Sequence, residues 1–344
     1  MGLVVHGGKP AALAAAGRTR AWARAHGVPC TDIDVWAPGA RHSAAEEAEL
    51  AGRPDLVVTV GGDGTFLRGA RVAAAVGAMV LGVDVGRVGF LTEVEADRVE
   101  EALDAVCSGA VVLDERLTLT MRASRPLGVP SGIDALLRYG RGPALPPPPA
   151  RPSAETLGWG IPLDILALND VVFEKLARDR QASIAVYVDS RLFASYSADA
   201  LIVSTATGST AYSFAAGGPV LSPDLDALLF TPVAPHMIFD RSLVLSCRHR
   251  IGMRVLNRSG EVAVSIDGQL SGVLDPGDWV NVYGARQRAR LVRLHEPHFL
   301  DRVRDRFGLV DARAAVADGQ APLFYDPGVP LPEDLAHPGP PPIC

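Results

Sequence analysis

The chain has 344 residues, of which 48% are hydrophobic and 6% aromatic, and its formal net charge is −6. This length suits two domains of roughly 150 residues each, and the acidic charge argues against a nucleic-acid partner. The sequence has no run of the ~20 apolar residues that a membrane span needs, and its N-terminus has no basic segment followed by an apolar core. We therefore expect a cytoplasmic protein without a membrane partner. The four cysteines lack metal-ligand or redox spacing, which predicts structural thiols at Cys30, Cys107, Cys247 and Cys344.

The first 115 residues alternate between strand patterns and helix patterns. Strands are predicted at 3–6, 33–36, 57–60 and 79–83, and helices at 10–26, at 44–50, from the turn after residue 60 to residue 75, and at 96–107. This alternation predicts an α/β domain with an open parallel sheet and helices on both faces. Ligands bind such sheets beyond the carboxyl ends of the strands, so the site is expected there.

From about residue 115 the pattern changes to short strands with little helical periodicity. Leu117, Leu119 and Met121 alternate with polar residues, and further strands are predicted at 164–172, 182–188, 192–196, 201–204, 242–245, 253–256, 262–266, 279–283 and 289–292. We therefore predict a mostly antiparallel β domain over 116–293, with a Pro-rich surface insertion at 123–160. A helix at 299–307 belongs to a segment, 294–318, that we expect to return toward the first domain, and the Pro-rich tail 319–344 is predicted to be poorly ordered.

The segment that points most clearly to chemistry follows the predicted strand 57–60 and reads Gly61-Gly62-Asp63-Gly64-Thr65. Its glycines allow a tight turn and let a ligand approach bare backbone, and Thr65 is suited to open the next helix. Backbone N–H groups and a helix N-terminus together form a phosphate site. A purely structural turn is the competing interpretation, and a second glycine-punctuated loop follows the next strand, at 84–89.

Asp63 needs a separate explanation, because a carboxylate repels bound phosphate groups. Two functions explain it: holding a metal ion, or accepting the proton of an attacking hydroxyl group. Either function predicts phosphoryl transfer.

Three later segments are candidates for ligand binding, and each has a structural alternative. Asn169-Asp170 pairs an amide with a carboxylate, which suits sugar hydroxyls and a base edge, although a solvated strand end has the same pattern. The segment 199–213 runs from a buried strand into small hydroxyl residues around Gly208, which suits a ligand or an ordinary helix cap equally. Asp267-Gly268-Gln269 predicts a hairpin turn.

In this order, the segments resemble the NAD kinase family over nearly the whole chain. The resemblance rests on 61–67, 81–91, 167–172, the Thr-Gly-Ser-Thr-Ala-Tyr run at 207–212, 217–219 and 267–269. The Gly-Gly-Asp-Gly loop also occurs in diacylglycerol kinases and phosphofructokinases, whereas the run at 207–212 is specific. The resemblance implies an ATP-dependent kinase that phosphorylates the 2′-hydroxyl of the adenosine ribose of NAD, forming NADP. It also implies an α/β phosphate-donor domain at 1–115 and a β-sandwich, dinucleotide-binding domain at 116–293, with the site between them.

The resemblance further implies the role of each site residue. Asp63 accepts the proton of the 2′-hydroxyl, the phosphate loop consists of Gly61, Gly62 and Thr65, and Gly64 and Arg68 contact the ligand. Asn169 and Asp170 hold ribose and base groups, the adenine pocket is lined by Thr210, Ala211, Tyr212 and Ser213, and the site is completed by Arg180, Asp199 and Gln269. Family members use Mg²⁺ with ATP, and we expect a homodimer or homotetramer whose sites can be built across subunits. No protein residue is assigned as a metal ligand.

The chain departs from the family pattern at three positions. Ala206 stands where Pro is common, Asp170 where Glu is common, and Ser197 where some members carry Arg. Two alternatives are kept. A lipid or sugar kinase with the same Gly-Gly-Asp-Gly loop leaves the run at 207–212 unexplained, and a non-catalytic dinucleotide sensor is expected to lack Asp63.

Overall fold

The computed structural model describes residues 1–35, 43–86, 89–130, 147–151, 158–177, 180–296 and 298–309. The chain forms two compact units, Met1–Pro297 and His298–Cys344. The described strands all lie in the first unit, and the described part of the second unit contains one helix.

The strands, in chain order, are β1 (Gly2–Val5), β2 (Thr31–Asp32), β3 (Leu56–Gly61), β4 (Met79–Asp84), β5 (Val94–Glu95), β6 (Val112–Arg116), β7 (Leu119–Ala123), β8 (Ile161–Pro162), β9 (Asp170–Lys175), β10 (Ala182–Val188), β11 (Arg191–Ala198), β12 (Ala200–Thr205), β13 (Ala227–Val233), β14 (Leu243–Ser246), β15 (Arg250–Val255), β16 (Val262–Ile266), β17 (Gln269–Leu274), β18 (Trp279–Gly284) and β19 (Ala289–Arg293). The α-helices are α1 (Pro10–Ala25), α2 (Ala44–Leu50), α3 (Asp63–Val76), α4 (Val99–Ser108), α5 (Tyr212–Ala215) and α6 (Phe299–Phe307). Short 3-10 helices, Ala96–Arg98 and Thr207–Thr210, precede α4 and α5.

The first sheet has the strand order β2-β1-β3-β4-β19-β6, with β5 paired to β4. Among the described pairs of this sheet only β6 and β19 run antiparallel. β3 is buried on both faces, because Val58 and Val60 pack among residues of α1 and α4 while Val57 packs among residues of α2 and α3. A β-branched run enclosed in this way is typical of a central parallel strand. The predicted α/β fold of this part is confirmed, with helices on both faces of the sheet.

The β-rich part consists of two sheets, with the orders β11-β10-β15-β18-β7-β8 and β14-β13-β12-β9-β16-β17. Neighbouring strands in both run antiparallel. One hydrophobic cluster takes side chains from both sheets, for example Met121 and Met253 from one and Phe173 and Phe230 from the other. The sheets therefore face each other across a shared core, and the predicted β-sandwich is confirmed.

Several strand predictions are wrong in position. The strand predicted at 33–36 is β2, which lies two residues earlier, and Trp36 is outside the described residues. The strand predicted at 164–172 begins only at Asp170, because the apolar run before it is extended but makes only isolated bridges. β6 and β13 were not predicted, since their polar or proline-containing patterns resemble loops.

The strand predicted at 289–292 was assigned to the wrong sheet. It is β19, which pairs with β4 and β6 in the first sheet and not with the sandwich. Its apolar alternation indicates a strand but carries no information about the partner, which the path of the chain decides. The predicted domain boundaries, 116–293 among them, stay predictions.

No described helix is long and apolar enough to cross a membrane. Cys30 and Cys107 are free, as predicted, but the prediction is wrong for Cys247, which is disulfide-bonded. Spacing along the chain does not report which sulfur atoms meet in space. The predicted helix 299–307 is confirmed as α6. Most of the Pro-rich insertion and the tail 319–344 lie outside the described residues.

Candidate active site

A cavity of about 1420 Å³ opens where the turns after β1 and β3 face the start of β9 and the β16–β17 hairpin. Its wall contains predicted site residues from four distant parts of the sequence: Gly62, Gly64, Thr65, Arg68, Asn169, Asp170, Ala211, Tyr212 and Gln269. The cavity therefore brings together the segments that the sequence singled out separately. Its position beyond the carboxyl end of β3 is the one expected for a parallel sheet.

The glycine loop joins the buried β3 to α3. The helix begins at Asp63 with Gly62 as its N-cap, so the prediction that Thr65 opens the helix is wrong by two residues. Thr65 is buried against Gly61, where a Cβ atom would lie 2.3 Å from the Thr65 hydroxyl oxygen. At Gly62 and Gly64 a Cβ atom would meet no described atom within 4 Å. The loop therefore leaves room for a polyphosphate to approach the N-terminus of α3.

The Asp63 carboxylate is held by the loop that follows β4. Its Oδ1 accepts the backbone N–H of Leu91 at 3.2 Å, and its Oδ2 accepts that of Phe90 at 3.3 Å. Gly89 lies so close that a Cβ atom there would be 2.3 Å from Oδ1. Both bonds are long for N–H···O pairs, and a carboxylate has about four acceptor positions. Asp63 is thus oriented by the loop yet retains capacity to accept a proton or a hydrogen bond from a ligand.

The predicted hairpin is confirmed between β16 and β17, and its turn clamps the chain that carries Asn169 and Asp170. Asp267 and Gly268 have φ values of 49° and 74°, which an Asp-Gly turn accommodates. The Asp267 carboxylate accepts the backbone N–H groups of Leu168, Asn169 and Asp170 at 3.0, 2.8 and 3.1 Å. Each N–H is therefore paired where the chain enters β9, and the two candidate ligand-binding residues are fixed at the cavity wall.

Carboxyl groups in this wall ionise well above their usual range. Burial raises the pKa of Asp170 to about 7, the charge of Asp267 adds to the shift, and a backbone hydrogen bond with Tyr212 opposes it. Burial raises the pKa of Asp267 to about 6, against the effect of its three backbone hydrogen bonds. Burial also raises the pKa of Glu174, which lies further along β9 on the same wall. Asp170 and Asp267 therefore change charge close to neutral pH, and perturbed carboxyls of this kind are common at functional sites.

The segment after β12 packs its backbone directly against Asn169. A Cβ atom at Gly208, in the turn Thr207–Thr210, would lie 2.1 Å from the Asn169 carbonyl oxygen, so only glycine fits at position 208. This close approach places Ala211 and Tyr212 on the cavity wall. The sequence predicted a ligand site or a plain helix cap here, and the geometry supports the ligand site.

Arg68 and Gln269 meet across the cavity, although 200 residues separate them. With the amide oriented to satisfy its hydrogen bonds, the Gln269 oxygen accepts from Arg68 Nη2 at 2.7 Å and from Nη1 at 3.0 Å. Burial, together with the charge of Arg71, lowers the pKa of Arg68 to about 10, so the group stays cationic at neutral pH. Two predicted site residues from different halves of the chain thus form one polar contact.

The positively charged residues of the cavity wall lie on the side of the glycine loop, where Asp34 also lies and where Arg71 is paired with Glu47; they are Lys9, Arg68 and Arg71. The side of the sandwich carries the carboxyl groups of Asp170, Glu174 and Asp267. The basic side suits phosphate groups. The acidic side, with the Asn169 amide, suits hydroxyl groups and a base edge.

Several predicted site residues do not line the cavity. Ser213 is fully buried, with its hydroxyl 2.8 Å from that of Thr231, and the Thr210 hydroxyl donates to the Thr207 carbonyl at 3.3 Å. Asp199 pairs with Lys175, although its charge still contributes to a raised pKa of Tyr212, after the larger effects of burial and Glu174. The remaining three are Gly61, which is buried under the loop, Arg180, which is exposed beside Gly260, and Asp63, whose neighbours Gly62 and Gly64 both line the cavity.

Sequence reasoning missed several contributors to the wall. Among them are Asp267, assigned only a turn, Arg71, Glu174, and the turn His6-Gly7-Gly8-Lys9 after β1. The Gly-Gly pair before α1 was a visible signal of a second glycine turn at the same sheet edge. Nothing in the local sequence separates Glu174 from other strand carboxylates.

Two family models match the chain: the ATP-NAD kinase N-terminal domain over residues 3–111 and the ATP-NAD kinase C-terminal domain over residues 168–294. NAD kinase 1 of Streptomyces coelicolor is 60% identical over 338 residues, which cover 98% of this chain and 93% of the relative. NAD kinase 1 of Streptomyces avermitilis is 61% identical over 346 residues, covering 99% and 97%.

Solved structures share the fold. The yeast NADH kinase crystallised with NADH matches with a TM-score of 0.67 at 20% identity, over 90% of this chain and 87% of that one. The NAD kinase from Archaeoglobus fulgidus crystallised with ATP matches with a TM-score of 0.59 at 22% identity, over 90% and 97%. At these identities the likeness concerns the fold alone.

Proposed function

The chain belongs to the NAD kinase family, and we propose a role in its reaction for each residue of the site. It transfers a phosphoryl group from ATP to NAD and forms NADP. The proposal assigns the proton transfer to Asp63, the phosphate groups to the glycine loop and the basic wall, and the ribose and base of NAD to the sandwich side.

Asp63 accepts the proton of the 2′-hydroxyl as the bond to phosphorus forms. A free carboxyl group ionises near pH ~4, and a ribose hydroxyl is a far weaker acid, so a carboxylate cannot ionise the hydroxyl in advance. It receives the proton late in the reaction, while the loop and the metal-bound phosphates hold the geometry. The backbone N–H groups of Phe90 and Leu91 orient the carboxylate for this step.

ATP binds with its phosphates toward the loop of Gly61, Gly62, Gly64 and Thr65, where the open backbone at Gly62 and Gly64 and the N-terminus of α3 favour anions. Lys9, Arg68 and Arg71 supply positive charge on the same side. Mg²⁺ would enter bound to ATP, a mode of binding that needs only one or two carboxylates besides the phosphates. When bound, it would supply positive charge that offsets the charge of the phosphates.

NAD lies against the sandwich side. Asn169 and Asp170 bind ribose hydroxyls and the base edge, the adenine packs near Thr210, Ala211, Tyr212 and Ser213, and Gln269 closes the site beside Arg68. Asp199 acts at the rim, next to Tyr212. Arg180 is exposed, and we assign it to a dinucleotide bound by a neighbouring protomer.

That last assignment requires an assembly, which we propose to be a homodimer or homotetramer. Large apolar side chains exposed on and beside β11 support it, since Leu192 is 61% exposed and Ile238 fully exposed, with Phe193 stacked edge-on against Phe239 at 5.9 Å. Such a patch is typical of an interaction surface. Light scattering on the purified protein measures the mass directly.

We also propose a cytoplasmic location, which cell fractionation tests.

The observation that carries the proposal is the convergence of Gly64, Asn169, Tyr212 and Gln269 on one cavity beside Asp63. The test is a coupled assay for NADP with purified protein, NAD, ATP and Mg²⁺, run beside Asp63→Asn with NAD binding measured by calorimetry. We expect turnover by the wild type and loss of turnover with retained NAD binding in the variant. Comparable turnover in the variant removes Asp63 from the proton-acceptor role, and wild-type binding without turnover supports the sensor alternative.

A further inference from the structure

Two buried arginines share one carboxylate at the edge of the first sheet. Arg293, at the end of β19, is 1% exposed, and Arg116, at the end of β6, is 6% exposed. Both pair with Asp114, which lies 3.2 Å from Arg293 Nε, and Arg293 also pairs with Glu93 at 2.9 Å. Burial acts to raise the pKa of Asp114, but hydrogen bonds and charge from Arg116 and Arg293 outweigh it and hold that pKa below its ordinary value. The network is therefore ionised and rigidly paired.

Burying so many charges is costly, and a buried ion pair by itself is weak grounds for a stabilising role. The contacts at the two ends of the network indicate what it holds. Arg293 Nη1 donates to the carbonyl oxygen of Leu91 at 3.1 Å. The N–H of the same residue, Leu91, donates to Asp63 Oδ1 at 3.2 Å. A single residue thus separates the buried guanidinium from the carboxylate assigned to the proton transfer.

The other end of the network reaches the opposite side of the cavity. Arg116 Nη1 donates to the hydroxyl of Thr207 at 3.2 Å. Thr207 begins the turn in which Gly208 packs on Asn169 and which leads to Tyr212 on the wall. Asp114 therefore connects, through one arginine each, the loop that orients Asp63 and the segment assigned to NAD.

We infer that Arg293 is a positioning residue for phosphoryl transfer, because it fixes the Leu91 backbone that orients Asp63, while Arg116 positions the NAD-binding segment. This inference rests on the proposed role of Asp63. A guanidinium is needed at position 293 because its planar fork serves the Leu91 carbonyl, Glu93 and Asp114 at once. A lysine ammonium keeps the charge but has no such fork.

The test compares Arg293→Lys with Arg116→Lys in steady-state kinetics, with folding checked by thermal melting. We expect Arg293→Lys to lower kcat by about tenfold or more, as for a displaced catalytic group, while KM for NAD changes less than about twofold. Arg116→Lys is expected to show the opposite split, with KM for NAD raised more than kcat is lowered. Arg288→Lys is the matched control, since Arg288 pairs with Asp226 at 2.6 Å beside the same strand, and we expect both parameters to stay at wild-type values.

Equal effects of the two lysine variants on kcat and KM would show that the network only stabilises the fold, and would overturn the inference. An unchanged kcat in Arg293→Lys would overturn it as well. If Arg293→Lys does not fold, Glu93→Gln replaces it, because it weakens the contact to Arg293 while keeping side-chain size, and a selective fall in kcat is again expected. Failure of the two proposals is distinguishable: Asp63→Asn with full turnover removes both, whereas an inactive Asp63→Asn beside a fully active Arg293→Lys removes only the role of Arg293.

Discussion

Asp63, the first residue of α3, and Asp267, in the turn between β16 and β17, both lie beside the cavity, but their carboxylates are bound in different ways. Asp267 accepts three backbone N–H groups at 2.8–3.1 Å, and it holds in place the chain that enters β9. Asp63 accepts two at 3.2 and 3.3 Å, next to glycines that leave the approach open. Of the about four acceptor positions of a carboxylate, most are filled at Asp267 and about half are free at Asp63, so Asp63 has the greater capacity to act on a ligand. Both residues lie in Asp-Gly sequences, so the dipeptide alone does not separate the roles.

Replacing Asp267 is expected to destabilise the fold. Asp267→Ala leaves three N–H groups without their acceptor and places alanine at a φ of 49°. We expect the free energy of unfolding to fall by on the order of 3 kcal/mol, net of the relief of buried charge. Asp267→Asn tolerates the turn and keeps one acceptor oxygen, so less than half of that loss is expected. Urea denaturation of the two variants measures both, and an equal loss would contradict the role assigned to the carboxylate.

Gly89→Ala is expected to displace the Asp63 carboxylate. Its Cβ would lie 2.3 Å from Asp63 Oδ1, so the carboxylate or the loop must move. We expect kcat to fall by about 100-fold, since displacements of about 1 Å cost rates of this order. Gly86→Ala in the same loop is the control, because its Cβ would lie at an ordinary 3.6 Å from Asp84. Similar kcat values for the two variants would mean that the position of Asp63 does not limit the rate.

Asp170→Asn tests the raised pKa of Asp170 through the pH dependence of stability. The folded-state pKa of Asp170 is about 7 against an ordinary 3.8, so the folded state binds more protons between those values. Wild-type stability from this group is therefore fully present below pH ~4 and lost as pH rises through about 7. The stability advantage of Asp170→Asn should grow over this window to at most about 4 kcal/mol, at ~1.36 kcal/mol per pKa unit. Melting at pH 4 to 8, beside exposed Asp97→Asn, measures it, and a constant advantage would contradict the raised pKa.

The smallest effect concerns the contact across the cavity. Gln269→Ala removes the acceptor of two Arg68 hydrogen bonds at 2.7 and 3.0 Å. We expect KM for NAD to rise about fivefold, since such a contact contributes on the order of 1 kcal/mol, while kcat changes less than twofold. Gln287→Ala, at an exposed position, is the control. A change confined to kcat would place Gln269 in the chemical step.

Much of the fold follows from the sequence because local periodicity determines it. α2 and β16 lie within the predicted bounds, and the buried run in β3 has helices on both faces as its composition predicts. The pairing of β19 with β4 was not predictable, since it depends on the path of the whole chain and not on local pattern. β6 and β13, whose sequences are polar or contain proline, were missed because tertiary pairing overrides their weak local preference.

The candidate site, like the fold, could be predicted only in part from the sequence. Glycines allow close approach: Gly208 packs against the Asn169 backbone, and Gly62 and Gly64 leave open space at the cavity wall. Long-range partners left no local signal. The clamp from Asp267 to Asn169, the Arg68–Gln269 contact and the buried network at Arg293 each join residues far apart in the sequence. Those contacts decide which aspartate is structural, and they are readable only from the structure.

The most direct measurement is the single-turnover rate of NADP formation, with saturating NAD and enzyme in excess over ATP, for wild type, Asp63→Asn and Asp267→Asn. This rate reports the phosphoryl-transfer step without product release. Asp63→Asn should slow it by about 10²–10⁴-fold, the range of general-base catalysis, while folded Asp267→Asn stays within about tenfold of the wild type. The reverse order would contradict the division between an aspartate that accepts the proton and one that builds the site.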